Sequence, residues 1–245
     1  MSKLSPKEQL EIKIKTHRQL MYVGVFSITM MFGGFSSAYI VSKADITWVK
    51  IFPPMAFYIS SIIIVLSSIT YYLAVKFLKK GKKSIGTVMV FLTLILGLSF
   101  SYYQVKGWSY LRDRGSFFGG NNNIRFAVDS KLNEYGTDYI VVQNGNELNY
   151  FEGEFYDVRD KTYSSPVKKV NLDTSNSSSS FFFLLTGLHF IHLLAGLISL
   201  VVVFTKSFRG KYSKEDHVGV KVSAIYWHFL DFLWLYLLGL LYFIG

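Results

Sequence analysis

His189 and His192 stand three residues apart, and Gly196 follows four further on, so the three share one face if their segment is helical. His228 and Asp231 repeat the three-residue spacing near the C-terminus, with Trp227 and Trp234 seven apart on the same side as Asp231. Imidazoles with a carboxylate suit iron, copper or zinc, so a membrane metalloenzyme site built from His189, His192, His228 and Asp231 is one reading. The other is a polar cluster that fixes how two helices pack, Asp231 accepting from a histidine and Gly196 admitting a neighbouring helix. Histidine number favours the second, because His17 and His217 sit among basic residues and membrane di-iron chemistry needs more imidazoles than remain. Catalytic, cofactor and metal ligands are therefore expected to be none in this chain. No cysteine occurs, which removes disulfides, thiolate metal sites and cysteine nucleophiles. The H-E-x-x-H and phosphate-loop patterns are absent too. Gly34-Phe35-Ser36-Ser37 lacks the second glycine of an intramembrane serine protease motif and reads as packing.

Something must hold these groups, and the composition says what. Charged residues make up only 17% against a hydrophobic share of 51%, where soluble domains carry about 25% charged residues. Residues 19–42, 51–75 and 84–105 contain no formal charge; Phe181 to Thr205 is a fourth apolar run, and a fifth from Val222 onward is broken only by Asp231. A hydrocarbon core about 30 Å thick needs roughly 20 helical residues, and lipid-exposed backbone must satisfy its own hydrogen bonds. The expectation is an all-α membrane protein, a bundle of five transmembrane helices. Asp231 then lies roughly 15 Å past Lys221 and His192 roughly 16 Å past Phe181, both near mid-membrane. An aspartate at that depth costs about 2.5–3.5 kcal/mol and calls for a polar partner. Gly33, Gly34, Ser36 and Ser37 in span one, and Ser60, Ser61, Ser67 and Ser68 in span two, suit close helix contact. Tyr71-Tyr72, Tyr102-Tyr103, Trp108 and Tyr226-Trp227 read as interfacial belt and packing.

The net charge of +10 sits in short clusters between apolar runs, which argues for membrane topology and against a nucleic-acid partner. Lys and Arg gather before span one, around Lys76 to Lys83, and from Lys206 to Lys221; the intervening short loop has only Lys43 and Lys50. The positive-inside rule gives a cytoplasmic N-terminus and an external C-terminus. Span one is longer than a 7–15-residue signal core and lacks a small-x-small cleavage site, so it is expected to remain. Four regions follow: a cytoplasmic segment 1–18, transmembrane helices one to three over 19–105, an external insertion 106–180, and helices four and five over 181–245.

The insertion holds most of the acids. Ile124 to Val128 alternates poorly, but Tyr139 to Val142 and Leu148 to Phe151 flank Asn144-Gly145, a signal for a hairpin with a type I′ turn. A small external β-rich insertion with a Ser/Asn tether over Thr174 to Ser180 is expected. Broken helices or repeated halves, marks of a secondary transporter, are not evident, although that class remains an alternative.

Thr186-Gly187-Leu188-His189-Phe190-Ile191-His192-Leu193-Leu194-Ala195-Gly196, followed by Tyr226-Trp227-His228-Phe229-Leu230-Asp231-Phe232-Leu233-Trp234, resembles the paired signature of subunit III of haem–copper terminal oxidases. Phe32 to Tyr39, Leu66 to Ala74 and Leu96 to Gln104 are similar to the family's corresponding helices. The chain resembles the five-helix bacterial form, which lacks two N-terminal helices of longer members. Ile28 stands where the family often has an intramembrane glutamate, so no role of that acid carries over, and the insertion is longer than the family's usual loop. The resemblance implies a non-redox accessory subunit of a proton-pumping oxidase in the bacterial inner membrane, with haems and copper in partner subunits I and II. It also implies bound phospholipid and support of subunit I and of proton uptake. The insertion, residues 109–180, would then face the periplasm and could meet another respiratory complex or a periplasmic protein. Cytochrome c and quinol both stay open as electron donor.

Overall fold

A computed structural model describes residues 6–44, 47–113, 134–167, 177–212 and 218–244. Among the described residues the elements run in chain order α1 (Pro6–Ser42), β1 (Thr47–Ile51), α2 (Met55–Lys79), α3 (Lys83–Asp113), β2 (Tyr139–Gln143), β3 (Asn146–Phe151), β4 (Glu154–Asp157), α4 (Ser178–Phe208) and α5 (Val218–Phe243). All five helices are long and apolar enough to cross a membrane, as the charge-free runs predict. Pro6 opens α1, where its missing N–H costs nothing. Pro53 and Pro54 precede α2 and leave it unbroken.

The helices overrun the charge-free runs, α1 beginning at Pro6 and α5 at Val218. Helix α3 continues past Lys106 to Asp113, and α4 begins at Ser178, with Ser178 and Ser179 buried, so three residues of the expected tether form a first helical turn. Charge-free windows mark where a chain can enter lipid. They do not mark where its self-satisfied helical backbone must stop. The rest of that tether, residues 174–176, the Ile124–Val128 segment and His217 lie outside the described residues.

The chain divides into two compact units. The first comprises Met1–Phe32, Ile59–Tyr103 and Leu188–Leu235. Within it α2 buries Ile64, Ser67, Tyr71, Ala74 and Leu78 at steps of three and four, the seam of close helix packing. α5 is the most enclosed helix, with 56% of its apolar window buried against 17% for α1. Lys83 Nζ donates to Gly210 O at 3.3 Å, so the α2–α3 and α4–α5 connections, both lysine-rich, meet.

The second unit comprises Gly33–Tyr58, Gln104–Gly187 and Tyr236–Gly245, and holds a four-stranded antiparallel sheet in the order β1-β2-β3-β4. The expected hairpin is present: Val142 faces Glu147, and Asn144 and Gly145 both take positive φ, 50° and 78°, as a type I′ turn requires. A second two-residue turn, Glu152-Gly153 with φ of 49° and 91°, adds β4. β1 is the larger surprise, since it comes from the short loop between α1 and α2 and pairs along its whole length with β2. Its pairing brings the α1–α2 and α3–α4 connections together, as five crossings demand. Val49, Tyr139, Val141, Leu148 and Phe155 form the sheet's apolar core. Tyr135 latches it, donating its hydroxyl to Leu148 O and accepting from Val141 N. Burial pushes that phenol up to about 12.

Of the small residues expected at helix contacts, Ser36, Ser60 and Ser67 are buried. Gly33 and Gly34 are not: a Cβ there would meet open space, so they bring no other part of the chain close.

Candidate functional site

The signature residues of α4 and α5 lie in the first unit, and Trp227 is where they converge. Its indole is 1% exposed. A Cβ on Gly97 of α3 would stand 2.8 Å from Trp227 Cη2, and one on Gly196 of α4 3.2 Å from Trp227 Cε3 and 3.0 Å from Leu230 Cδ1. Both glycines therefore leave the ring its room, and any side chain there would push it out. Its Nε1–H donates to Ser67 Oγ of α2 at 2.8 Å. Two turns on, Trp234 donates to Ser61 Oγ at 2.9 Å. Next to the first rung His228 Nδ1 lies 2.6 Å from Ser68 Oγ, with Tyr71 beside the ring. Ser61 to Ser68 on α2 thus runs antiparallel to Trp234 to Trp227 on α5, joined by hydroxyl–ring hydrogen bonds.

The histidines do not form one centre. His189 is buried between Phe100, in edge contact at 6.2 Å, and Trp234, at 5.3 Å, and among the described residues neither ring nitrogen finds a hydrogen-bond partner. His192 turns back to Leu188 O at 2.7 Å and meets Phe32 edge-on. Among the described residues no three His, Asp or Glu side chains stand close enough to hold one metal ion.

Asp231 corrects the expected pairing. It is 4% exposed, but His228 Nδ1 is 4.0 Å from Oδ2, too long for the hydrogen bond expected. The imidazole is taken by Ser68, whose hydroxyl stands near both groups. Among the described residues no hydrogen bond between ionisable side chains joins the last two helices, although His189 of α4 packs against Trp234 of α5. The hydrogen bonds across that contact include Tyr226 OH donating to His192 O at 3.0 Å and Ser199 donating to Ser223 at 2.8 Å, and Gly196 lies under Trp227. The serine pairs at 60/61 and 67/68, seven apart like the tryptophans opposite, were the available signal for the α2 rungs.

Residues 169–245 match the family model described as cytochrome c oxidase subunit III. Cytochrome c oxidase subunit 3 of Schizophyllum commune is 37% identical over 34% of this chain and 32% of its own length. That of Synechocystis sp. is 40% identical over 28% of this chain and 30% of its own length. A protein described as probable cytochrome c oxidase subunit 3 in Rickettsia prowazekii is 38% identical over 29% of this chain and 27% of its own length. The aligned part of the chain spans about a third or less of the curated relatives it matches. The matched residues take in the last two helices, with the Thr186–Gly196 and Tyr226–Trp234 signatures they carry, and it is this part of the chain that is similar to cytochrome c oxidase subunit III.

Proposed function

We propose that this chain is the non-redox accessory subunit III of a proton-pumping haem–copper terminal oxidase, an oxygen-reducing complex of the aerobic respiratory chain. The carrying observation is where the family signature falls. Its bulky members, Trp227, Trp234 and His189, are packed into helix contacts and committed to α2, α3 and α4. Residues so placed set the shape of a bundle, and that is what an accessory subunit offers to a partner. Haems and copper belong to partner subunits I and II in this reading, and the chain supports subunit I and proton uptake without a catalytic residue of its own.

The apolar outer faces are then shared between partner and lipid. α1, the least buried helix, exposes Leu20, Val23, Phe26 and Met30. Phospholipid bound along such faces belongs to the same reading. In this reading the N-terminus is cytoplasmic and the sheet lies on the periplasmic side of an inner membrane, which the lysine-rich connections support through the positive-inside rule. There the sheet offers a surface to a periplasmic protein or a second respiratory complex.

The experiment is affinity purification of tagged chain in a mild detergent, with haem spectra and copper analysis of what accompanies it. Haem and copper in the eluate, separating from the chain when the detergent is made harsher, is the expected result. A chain that elutes alone, or that keeps stoichiometric metal after separation, overturns the reading.

A further inference from the structure

On the face of the sheet turned away from its apolar core, strand alternation should bring polar side chains to water. The register gives that face Asn149 and Phe151 of β3 with Glu154 and Tyr156 of β4, while Leu148 and Phe155 point the other way into the core. The loop after β4 then lays Tyr163 over this outer face. Its ring stacks on Phe151 at 4.7 Å and 16°, and meets Tyr156 edge-on at 5.3 Å. Phe151 and Tyr163 stay 45% and 39% exposed, and with Val158 they are the exposed large hydrophobic side chains of residues 134–167. Aromatic surface therefore stands where polar side chains belong.

Tyr163 is held there at a cost. Its φ is +50°, a conformation that a bulky side chain keeps only when its surroundings impose it. Asp160 imposes it, accepting from the amides of Thr162, Ser164 and Ser165 on either side of the ring. The electrostatics of the patch has one sign. Glu152, Glu154 and Asp160 all act on the Tyr156 hydroxyl, Glu154 Oε2 lying 3.5 Å from it, and among the described residues no lysine or arginine does.

Aromatic faces are negative too, so the rings and the carboxylates favour the same visitor, a cation. A purely apolar partner would leave the carboxylates desolvated, and an anionic one would be repelled. Strand addition is closed off on this side, because Val167 N already donates to Phe155 O at 2.8 Å and Tyr156 bridges to Pro166. The family match begins at residue 169, beyond the sheet, and leaves this surface unaccounted for.

We propose that Phe151 and Tyr163, backed by Tyr156 and flanked by Glu152, Glu154 and Asp160, form a docking surface for a lysine- or arginine-bearing segment of a partner protein. Its cations lie over the exposed ring faces. This rests on the reading of the sheet as a partner surface and gives that partner its chemistry.

The test uses the full chain in a neutral detergent with fluorescently labelled octalysine, followed by anisotropy at about 0.15 M salt. Octaglutamate is the opposite probe. The chain's net charge of +10 works against octalysine elsewhere, so binding must come from an acidic place. F151A/Y163A, which changes no charge, is expected to weaken octalysine binding about tenfold, and E152Q/E154Q about as much. Glu147→Gln, four residues back along β3 and about 13 Å from Phe151, should change nothing. Should F151A/Y163A disturb the sheet, judged by hydrogen exchange over residues 139–157, Phe151→Leu keeps the apolar volume and should still weaken binding about threefold. Octaglutamate bound as tightly as octalysine, ring variants that bind like wild type, or an equal loss in Glu147→Gln overturns the proposal. The assay needs neither haem nor partner subunits. Its failure therefore leaves the oxidase reading standing, and a chain that purifies without haem leaves this one standing.

Discussion

The bundle around Trp227 and the four-stranded sheet solve the same problem in opposite ways. In the bundle the specific ties are polar: serine hydroxyls of α2 hold indole N–H groups and an imidazole of α5, and a pair of serines joins α4 to α5. In the sheet the centre is apolar, Val141, Leu148 and Phe155 with Tyr139, and the acids stand outside. Lipid tails are as apolar as any leucine, so apolar burial cannot choose helix partners there. Close approach at small residues and hydrogen bonds must do so. In water the hydrophobic effect returns and a period-two pattern suffices. One chain therefore uses two different specificity rules within 245 residues.

Removing the group on which the bundle's rule converges should have the largest effect. Trp227→Ala deletes a buried indole, orphans Ser67 and opens a cavity beside Gly97 and Gly196. A loss of about 3–5 kcal/mol is expected by unfolding in mixed micelles, while Trp227→Phe, which keeps most of the volume, should lose clearly less. Equal losses would show that the hydrogen bond to Ser67 matters and the retained volume does not. Phe155→Ala in the sheet core should lose a comparable amount of local stability, yet read out by hydrogen exchange over residues 139–157 and leave protection of α2 and α5 unchanged. Gly196→Val crowds Trp227 and Leu230 and should cost about 1–3 kcal/mol. Asp231→Asn removes the ionisable carboxyl but no histidine hydrogen bond, and stability is expected to stay within about 1 kcal/mol.

The smallest effects lie in the sheet's titrations. Asp160 accepts from the amides of Ser165, Ser164 and Thr162 and from the Thr162 hydroxyl, which hold its carboxyl below the usual range. A depressed acid stabilises the fold above its unfolded value of about 3.9, and that contribution fades as pH falls through the folded value. Amide exchange at Ser164 and Ser165 should therefore accelerate only under strongly acid conditions. Tyr135 runs the other way. Its stabilisation is complete below the unfolded value near 10 and disappears as pH rises through about 12. Loss of cap structure between those limits, absent in Tyr135→Phe, is the expected signature.

What was legible in the sequence follows the same division. Five spans could be read from missing charge because lipid excludes it, and the hairpin from Asn144-Gly145 because two adjacent positive φ values require such residues. β1 was not legible: Thr47–Ile51 is five residues in a short loop, and its partner lies far along the chain. Glu152-Gly153 carries the weaker turn signal of a non-Asn first position, so β4 was missed. At the site, spacing put His228 and Asp231 on one face and made them look like partners. Which neighbouring helix offers a hydroxyl is a matter of rotation about each axis, and Ser68 stood nearer.

The β1–β2 pairing has a consequence for biosynthesis. β1 leaves the ribosome about ninety residues ahead of the strand it must meet, and two further membrane helices are made in between. At elongation rates of roughly 5–20 residues per second, its amides stay unpaired for on the order of ten seconds. During that interval translocation machinery, a chaperone, or a strand from a neighbouring nascent chain can reach them first. Exchange of β1 between two copies would leave every membrane crossing in place, so a strand-swapped dimer is the misassembly this topology invites.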